Sequence, residues 1–118
     1  MAADVTIWLN PSCAKCRTAQ GILAEKGVDP KVVRYLDSAP TVEQLEAVLK
    51  LLGTTDPRAM IRTGESIYKD LGLESADREV LLKAMAANPI LIERPIVIVG
   101  DRAVVARPPE RLLELLDS

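Results

Sequence analysis

The sequence predicts an α/β fold: a four-stranded mixed sheet covered by helices, with a helical insertion between a βαβ unit and a C-terminal β-hairpin and helix. Three observations lead there. A strand–helix–strand pattern opens the chain. Residues from about 41 to 88 are patterned for helices alone. Two β-rich runs joined by Gly100-Asp101 then precede a short apolar helix.

Taking the elements in order, Val5-Thr6-Ile7-Trp8-Leu9 alternates and is rich in β-formers, and Asn10-Pro11-Ser12 ends it. From Ala14 to Lys26 the spacing is helical, with Ala19, Ile22 and Leu23 on one side and Gly27 as the stop. Val32-Val33-Arg34-Tyr35-Leu36 reads as a second strand, parallel to the first through a right-handed crossover. Thr41, three residues before Gln44, forms a capping-box signature, and Val42, Leu45, Val48, Leu49 and Leu52 mark an amphipathic helix ending at Gly53. Residues 56–75 read as short helical pieces punctuated by Pro57, Gly64 and Gly72. A further helix runs from about Asp77 to Ala87, stopped by Asn88-Pro89. Ile96–Val99 and Ala103–Val105 read as a hairpin with a two-residue turn, and Pro108-Pro109 opens a last helix, Glu110 to Leu116. This is the element order of the thioredoxin-like fold with helices inserted in the middle.

The 118 residues predict a single domain spanning 1–118. Hydrophobic residues make up 48%, enough for a core, while aromatics are 3% and Phe is absent, so Leu, Ile, Val and Ala must fill it. No apolar run approaches the roughly 20 residues of a membrane span. Met1-Ala2-Ala3-Asp4 has no basic region before an apolar stretch, which predicts no signal peptide and a cytoplasmic location. Lys+Arg 15 against Asp+Glu 17 gives no general basis for direct nucleic-acid binding. His is absent, which removes Ser-His-Asp and Cys-His mechanisms and any His metal site. With two Cys, a Cys-only zinc site would need another chain, so no metal is expected. Carboxylate, Lys/Arg or thiol chemistry remains.

Cys13-Ala14-Lys15-Cys16 falls where the first strand ends and the first helix begins. There a sulfur meets unpaired backbone N–H groups and the positive end of the helix dipole. Lys15 and Arg17 add positive charge. Both effects favour thiolate, the nucleophilic form, at Cys13. Cys16, one turn on, is placed to attack a mixed disulfide on Cys13 and close a short disulfide. A reducing cytoplasm disfavours a purely structural bridge. The plainer alternative is a pair of buried cysteines that never react.

Arg62, Arg94 and Arg107 stand out by context. Arg94 precedes Pro95 at the entry to the hairpin, where a thioredoxin-like sheet commonly has a cis proline facing the redox cysteine. Arg107 ends the next strand before Pro108, and Arg62 lies in the helical insertion. Guanidinium groups match tetrahedral oxyanions and would neutralise charge developing during attack. Equally, each could pair with a surface carboxylate such as Glu65 or Glu93 and contribute little.

Motifs along nearly the whole chain resemble the arsenate reductase family, in its glutathione/glutaredoxin-linked branch. They are Asn10-Pro11-Ser12-Cys13 with Arg17; Arg34-Tyr35-Leu36 before Pro40-Thr41; Ile61-Arg62 before Tyr68-Lys69-Asp70-Leu71-Gly72-Leu73; Asn88 through Val97, with Glu93-Arg94-Pro95 inside it; and Ala106-Arg107-Pro108-Pro109-Glu110. The resemblance implies that Cys13 is the nucleophile toward arsenate and that Arg62, Arg94 and Arg107 hold the oxyanion, with Ser12, Arg17 and Pro95 in support. It implies no bound cofactor, with glutathione as co-substrate and glutaredoxin as electron donor. Cys16 departs from that branch, which usually has one cysteine in the loop. It is similar in this to the Spx-type redox regulators, which generally lack the Arg107-Pro108 pair. A Cys13–Cys16 disulfide reduced by thioredoxin or glutaredoxin is thus a second route for the electrons; an Spx-type redox-sensing transcriptional regulator that binds RNA polymerase is a second reading of the chain, and a general thiol–disulfide oxidoreductase using Cys13 and Cys16 a third.

Overall fold

The computed structural model describes residues 4–10 and 12–116; Pro11, part of the resemblance, lies outside them. Backbone contacts gather into two compact units. One holds the chain up to Tyr35 and from Arg94 onward; the other is Leu36–Glu93.

The first unit is built on a four-stranded sheet. Its elements are β1 (Val5–Trp8), α1 (Ala14–Glu25), β2 (Lys31–Val33), β3 (Ile96–Val99), β4 (Arg102–Val105) and α5 (Leu113–Leu116). The strand order is β2-β1-β3-β4, with β1 parallel to β2 and antiparallel to β3, and β3 antiparallel to β4. One row across the sheet runs Val32, Ile7, Val97, Val104. Ile7, Val97 and Val104 are buried, whereas Val32, on the outer strand, is largely exposed. Alternation along the strands sends these side chains to one face. There they meet Cys16, Ala19 and Leu23 of α1 together with Leu112 and Leu115. Each fully buried Leu or Ile adds about 1.5–3 kcal/mol, without any help from Phe.

Several boundaries shift by one residue, and two elements differ more from the sequence expectation. The second strand stops at Val33 rather than Leu36, because its only neighbour gives out: Leu9 N–H donates to Val33 O (3.0 Å), and the chain of β1 then turns into the Cys13 loop. The last helix begins as a tight 3₁₀ turn, Pro109–Leu112, before one α turn at α5. Two successive prolines supply no N–H to an α-ladder, and 3₁₀ turns are common at helix starts.

The second unit, the helical insertion, contains α2 (Val42–Leu52), α3 (Ser66–Asp70) and α4 (Arg78–Ala87), with 3₁₀ turns at Pro57–Met60, Leu73–Ser75 and Pro89–Leu91. The predicted capping box is formed: Gln44 N–H donates to Thr41 Oγ1 (3.1 Å) and Thr41 N–H to Gln44 Oε1 (2.9 Å). Gly53 closes α2 in the left-handed region, φ 82°, where a Cβ is disfavoured. Arg58, which no sequence pattern singled out, ties the irregular stretch together. It donates to Tyr68 Oη (2.9 Å) and to the carbonyl oxygens of Leu73, Glu74 and Ala76. The Glu74 and Ala76 carbonyls lie at the end of a 3₁₀ turn, where helix carbonyls lack intrahelical donors, while Leu73 O also accepts from Ala76 N–H (3.1 Å).

Candidate active site

Cys13 is the N-cap of α1, with extended backbone (φ −89°, ψ 122°). Its own N–H donates to Asn10 O (2.9 Å), and its carbonyl accepts the first helical bond, from Arg17 N–H (3.1 Å). Ser12 N–H donates to Asn10 Oδ1 (3.0 Å). The loop is thus wound so that the Cys13 sulfur sits at the start of the helix, over the otherwise unpaired N–H groups of the first turn.

The charge state follows. Burial pushes the Cys13 thiol up. The backbone N–H of Cys16, the side chains of Arg94 and Cys16, and the backbone N–H of Lys15 outweigh it and lower the thiol from 9.0 to about 7. Cys16 behaves oppositely. It is fully buried, and burial together with the neighbouring Cys13 raises it to about 11, against the pull of the Asn10 N–H and Arg94. At neutral pH the pair is therefore a partly ionised, half-buried thiol beside a protonated, buried one.

Arg94 and Arg107 come from the ends of the hairpin. Arg94–Pro95 is cis, as expected from its place in a thioredoxin-like sheet; Arg107–Pro108, for which no such expectation arose, is cis as well. Pro95 is buried, and its carbonyl accepts from Ala106 N–H (2.9 Å). Arg107 Nη1 donates to Arg94 O (3.1 Å). Burial works against the Arg94 charge, but Cys13 and Tyr35 hold it, and the net effect raises its affinity for the proton. Arg17 is exposed and engaged in an interaction of its own.

Arg62 belongs to the helical unit. Its Nη1 bonds Glu65 Oε1 at 2.7 Å, and its Nε lies 3.3 Å from Glu93 Oε1. These are the two carboxylates named above as its alternative partners.

Tyr35 is the residue that sequence reading missed as part of the site. It follows β2 with its side chain fully buried, and burial raises its hydroxyl to about 12, with Arg94 opposing and the two cysteines adding to the shift. No spacing rule connects a residue at the end of β2 to the Cys13 loop; only the parallel pairing of β1 and β2 does.

No group of three or more Cys, Asp or Glu that could hold a metal ion occurs among the described residues, and none of their helices is long and apolar enough to cross a membrane.

A sulfur whose thiol is lowered to about 7, presented by the first helix of this sheet, is placed to attack an electrophile, and the four-stranded mixed sheet with its helices defines a protein of the thioredoxin-like class. More narrowly, it belongs to the ArsC family, whose family model matches residues 8–115. The arsenate reductase of Haemophilus influenzae is 43% identical over 115 residues, covering 96% of this chain and 99% of that one. The uncharacterized protein YfgD of Escherichia coli is 42% identical over 118 residues, covering 98% and 99%. Among solved structures, an arsenate reductase from Vibrio cholerae superposes with a TM-score of 0.92 at 41% identity, covering 97% of this chain and 98% of its own.

Proposed function

We propose that the chain is an oxidoreductase that reduces arsenate to arsenite, with Cys13 as nucleophile. The observation that carries this reading is the Cys13 thiolate held beside Arg94, whose carbonyl is in turn bonded by Arg107. A thiolate and an oxyanion repel each other, and fixed guanidinium charge is what lets them meet. Relatives at similar identity over nearly the full chain bear the name arsenate reductase, which favours this reading over an Spx-type regulator.

In the proposed reaction the Cys13 sulfur bonds to arsenic and one arsenate oxygen leaves as water. A second thiolate then attacks the Cys13 sulfur. The sulfur–arsenic bond breaks, its electron pair stays with arsenic, and arsenite departs. Two thiols have become one disulfide, which balances the two electrons gained by arsenic. Glutathione supplies that second thiol in the first route, with glutaredoxin removing it from Cys13 and no cofactor held. Cys16 supplies it in the other, leaving a Cys13–Cys16 disulfide for thioredoxin or glutaredoxin. The burial of Cys16 and its thiol near 11 favour the glutathione route at neutral pH. A cytoplasmic setting suits either donor. Arg62 enters as a third oxyanion contact on the resemblance alone, since its guanidinium is engaged by Glu65 and Glu93. Ser12, Arg17 and Pro95 shape the loop and hairpin entry around Cys13.

The test is arsenate-dependent NADPH oxidation with each donor system in turn. Activity is expected in the full chain and abolished in Cys13→Ser; a fully active Cys13→Ser variant would overturn the mechanism. Reduction of a model disulfide at full rate without any arsenate dependence would favour a general oxidoreductase.

A further inference from the structure

Two buried polar side-chain atoms among the described residues have no hydrogen-bond partner: Tyr35 Oη and Arg94 Nε. Buried polar groups are nearly always paired, and an orphan costs stability, so two in one place call for a reason. Their side chains lie within reach of each other, close enough for the Arg94 guanidinium to act on the Tyr35 hydroxyl and on the Cys13 sulfur, yet neither Tyr35 Oη nor Arg94 Nε has a well-formed hydrogen bond. Tyr35 is 0% exposed, so its hydroxyl has no bulk water to turn to. Each atom carries one hydrogen to donate.

We infer that Tyr35 Oη–H and Arg94 Nε–H are donors reserved for the oxygens of a tetrahedral oxyanion seated at the Cys13 sulfur, which makes Tyr35 a binding residue of the site. The inference rests on the proposed reading of Cys13 as a nucleophile toward an oxyanion, and deepens it. Several features fit. Such an anion carries at least three oxygens beyond the one displaced, more acceptors than one guanidinium edge can serve. The ring of Tyr35 is fixed by burial, so its hydroxyl is held in place before the anion arrives. Because burial keeps the hydroxyl protonated far above neutral pH, it remains a donor and adds no negative charge beside the substrate. An O–H group at this position also selects for an acceptor-rich ligand over a disulfide, whose sulfurs accept weakly.

Tyr35→Phe tests this, since it removes Oη and keeps the ring packing. Two readouts are needed. The first is the pH profile of Cys13 alkylation by iodoacetamide. The second is protection of Cys13 against that alkylation by inorganic arsenate, phosphate and sulfate, with the KM for arsenate alongside. The inference predicts an unmoved alkylation profile and an unchanged or slightly raised melting temperature, because the hydroxyl has no well-formed hydrogen bond at rest. It predicts protection weakened roughly tenfold and a matching rise in KM, the loss of one hydrogen bond to a charged acceptor. Equal protection in both proteins would overturn it. So would a shifted alkylation profile, which would mean that the hydroxyl already serves the resting thiolate. If phosphate and sulfate protect, and do so less well in Tyr35→Phe, while arsenate is not turned over by either protein, the donor pair stands and the reductase reading fails. Normal arsenate turnover with an unchanged KM in Tyr35→Phe gives the reverse.

Discussion

Arg107 Nη1 donates a 3.1 Å hydrogen bond to the carbonyl oxygen of Arg94. The two residues flank the hairpin, where Ile96 pairs with Val105 and Ala106 N–H reaches Pro95 O. The strand that leaves the sheet thus braces the strand that enters it, at the point where the entering strand brings a guanidinium to the Cys13 sulfur. Arg107 therefore positions Arg94 through the backbone, whatever else it binds.

Replacing Arg107 by Ala removes that brace. The expected loss in kcat/KM for arsenate corresponds to about 1–3 kcal/mol, as for a hydrogen bond made by a charged group. Steady-state kinetics measure it. An unchanged rate would leave Arg107 with a merely structural part.

Arg94→Ala has a more particular signature. With the guanidinium gone, one of the influences that lower the Cys13 thiol disappears while burial still raises it. The midpoint of Cys13 alkylation against pH should move upward from about 7 toward 9. A midpoint that stays in place would assign the ionisation to the helix N–H groups and the Cys16 side chain.

The same thiols make stability depend on pH, with opposite signs. Cys13 is lowered from 9.0 to about 7, so its contribution is present above pH 9 and is lost as pH falls through 7. Cys16 is raised to about 11, so its contribution is present below pH 9 and is lost as pH rises through 11. Urea midpoints across pH 6–11 should rise toward 9 and then fall. The rising limb should vanish in Cys13→Ser and the falling limb soften in Cys16→Ser.

Arg62→Ala should lower stability by about 1 kcal/mol, because it leaves the partly buried Glu65 and Glu93 side chains, near a quarter exposed, without their shared cation. Urea denaturation reads this. If arsenate kcat/KM falls as well, after correction for the folded fraction, Arg62 takes part in binding the oxyanion.

Cys16→Ser separates the two electron routes. Turnover with glutathione and glutaredoxin should survive, whereas turnover with thioredoxin should fall sharply, because no intramolecular disulfide can form. Equal loss with both donors would count against this division.

By itself, the sequence determined most of the elements and the place of the Cys13 thiol at a helix start. Alternation in Val5–Trp8 and Ile96–Val99, the Thr41/Gln44 box and the Gly100-Asp101 turn are local signals, written within a few residues of where they act. Cys13 was legible for the same reason: its chemistry depends on being next to a helix start. Only the tertiary structure decided what surrounds it. Tyr35 reaches the site through parallel strand pairing, and Arg107 reaches Arg94 across a hairpin. Whether Arg62 meets carboxylates was likewise fixed by where the chain folds back at Ile61 and Ile92. Contacts between residues far apart in sequence depend on strand order and register, which hydrophobic patterning constrains only as a whole. The identity of one side chain carries no record of the partner that folding will bring to it.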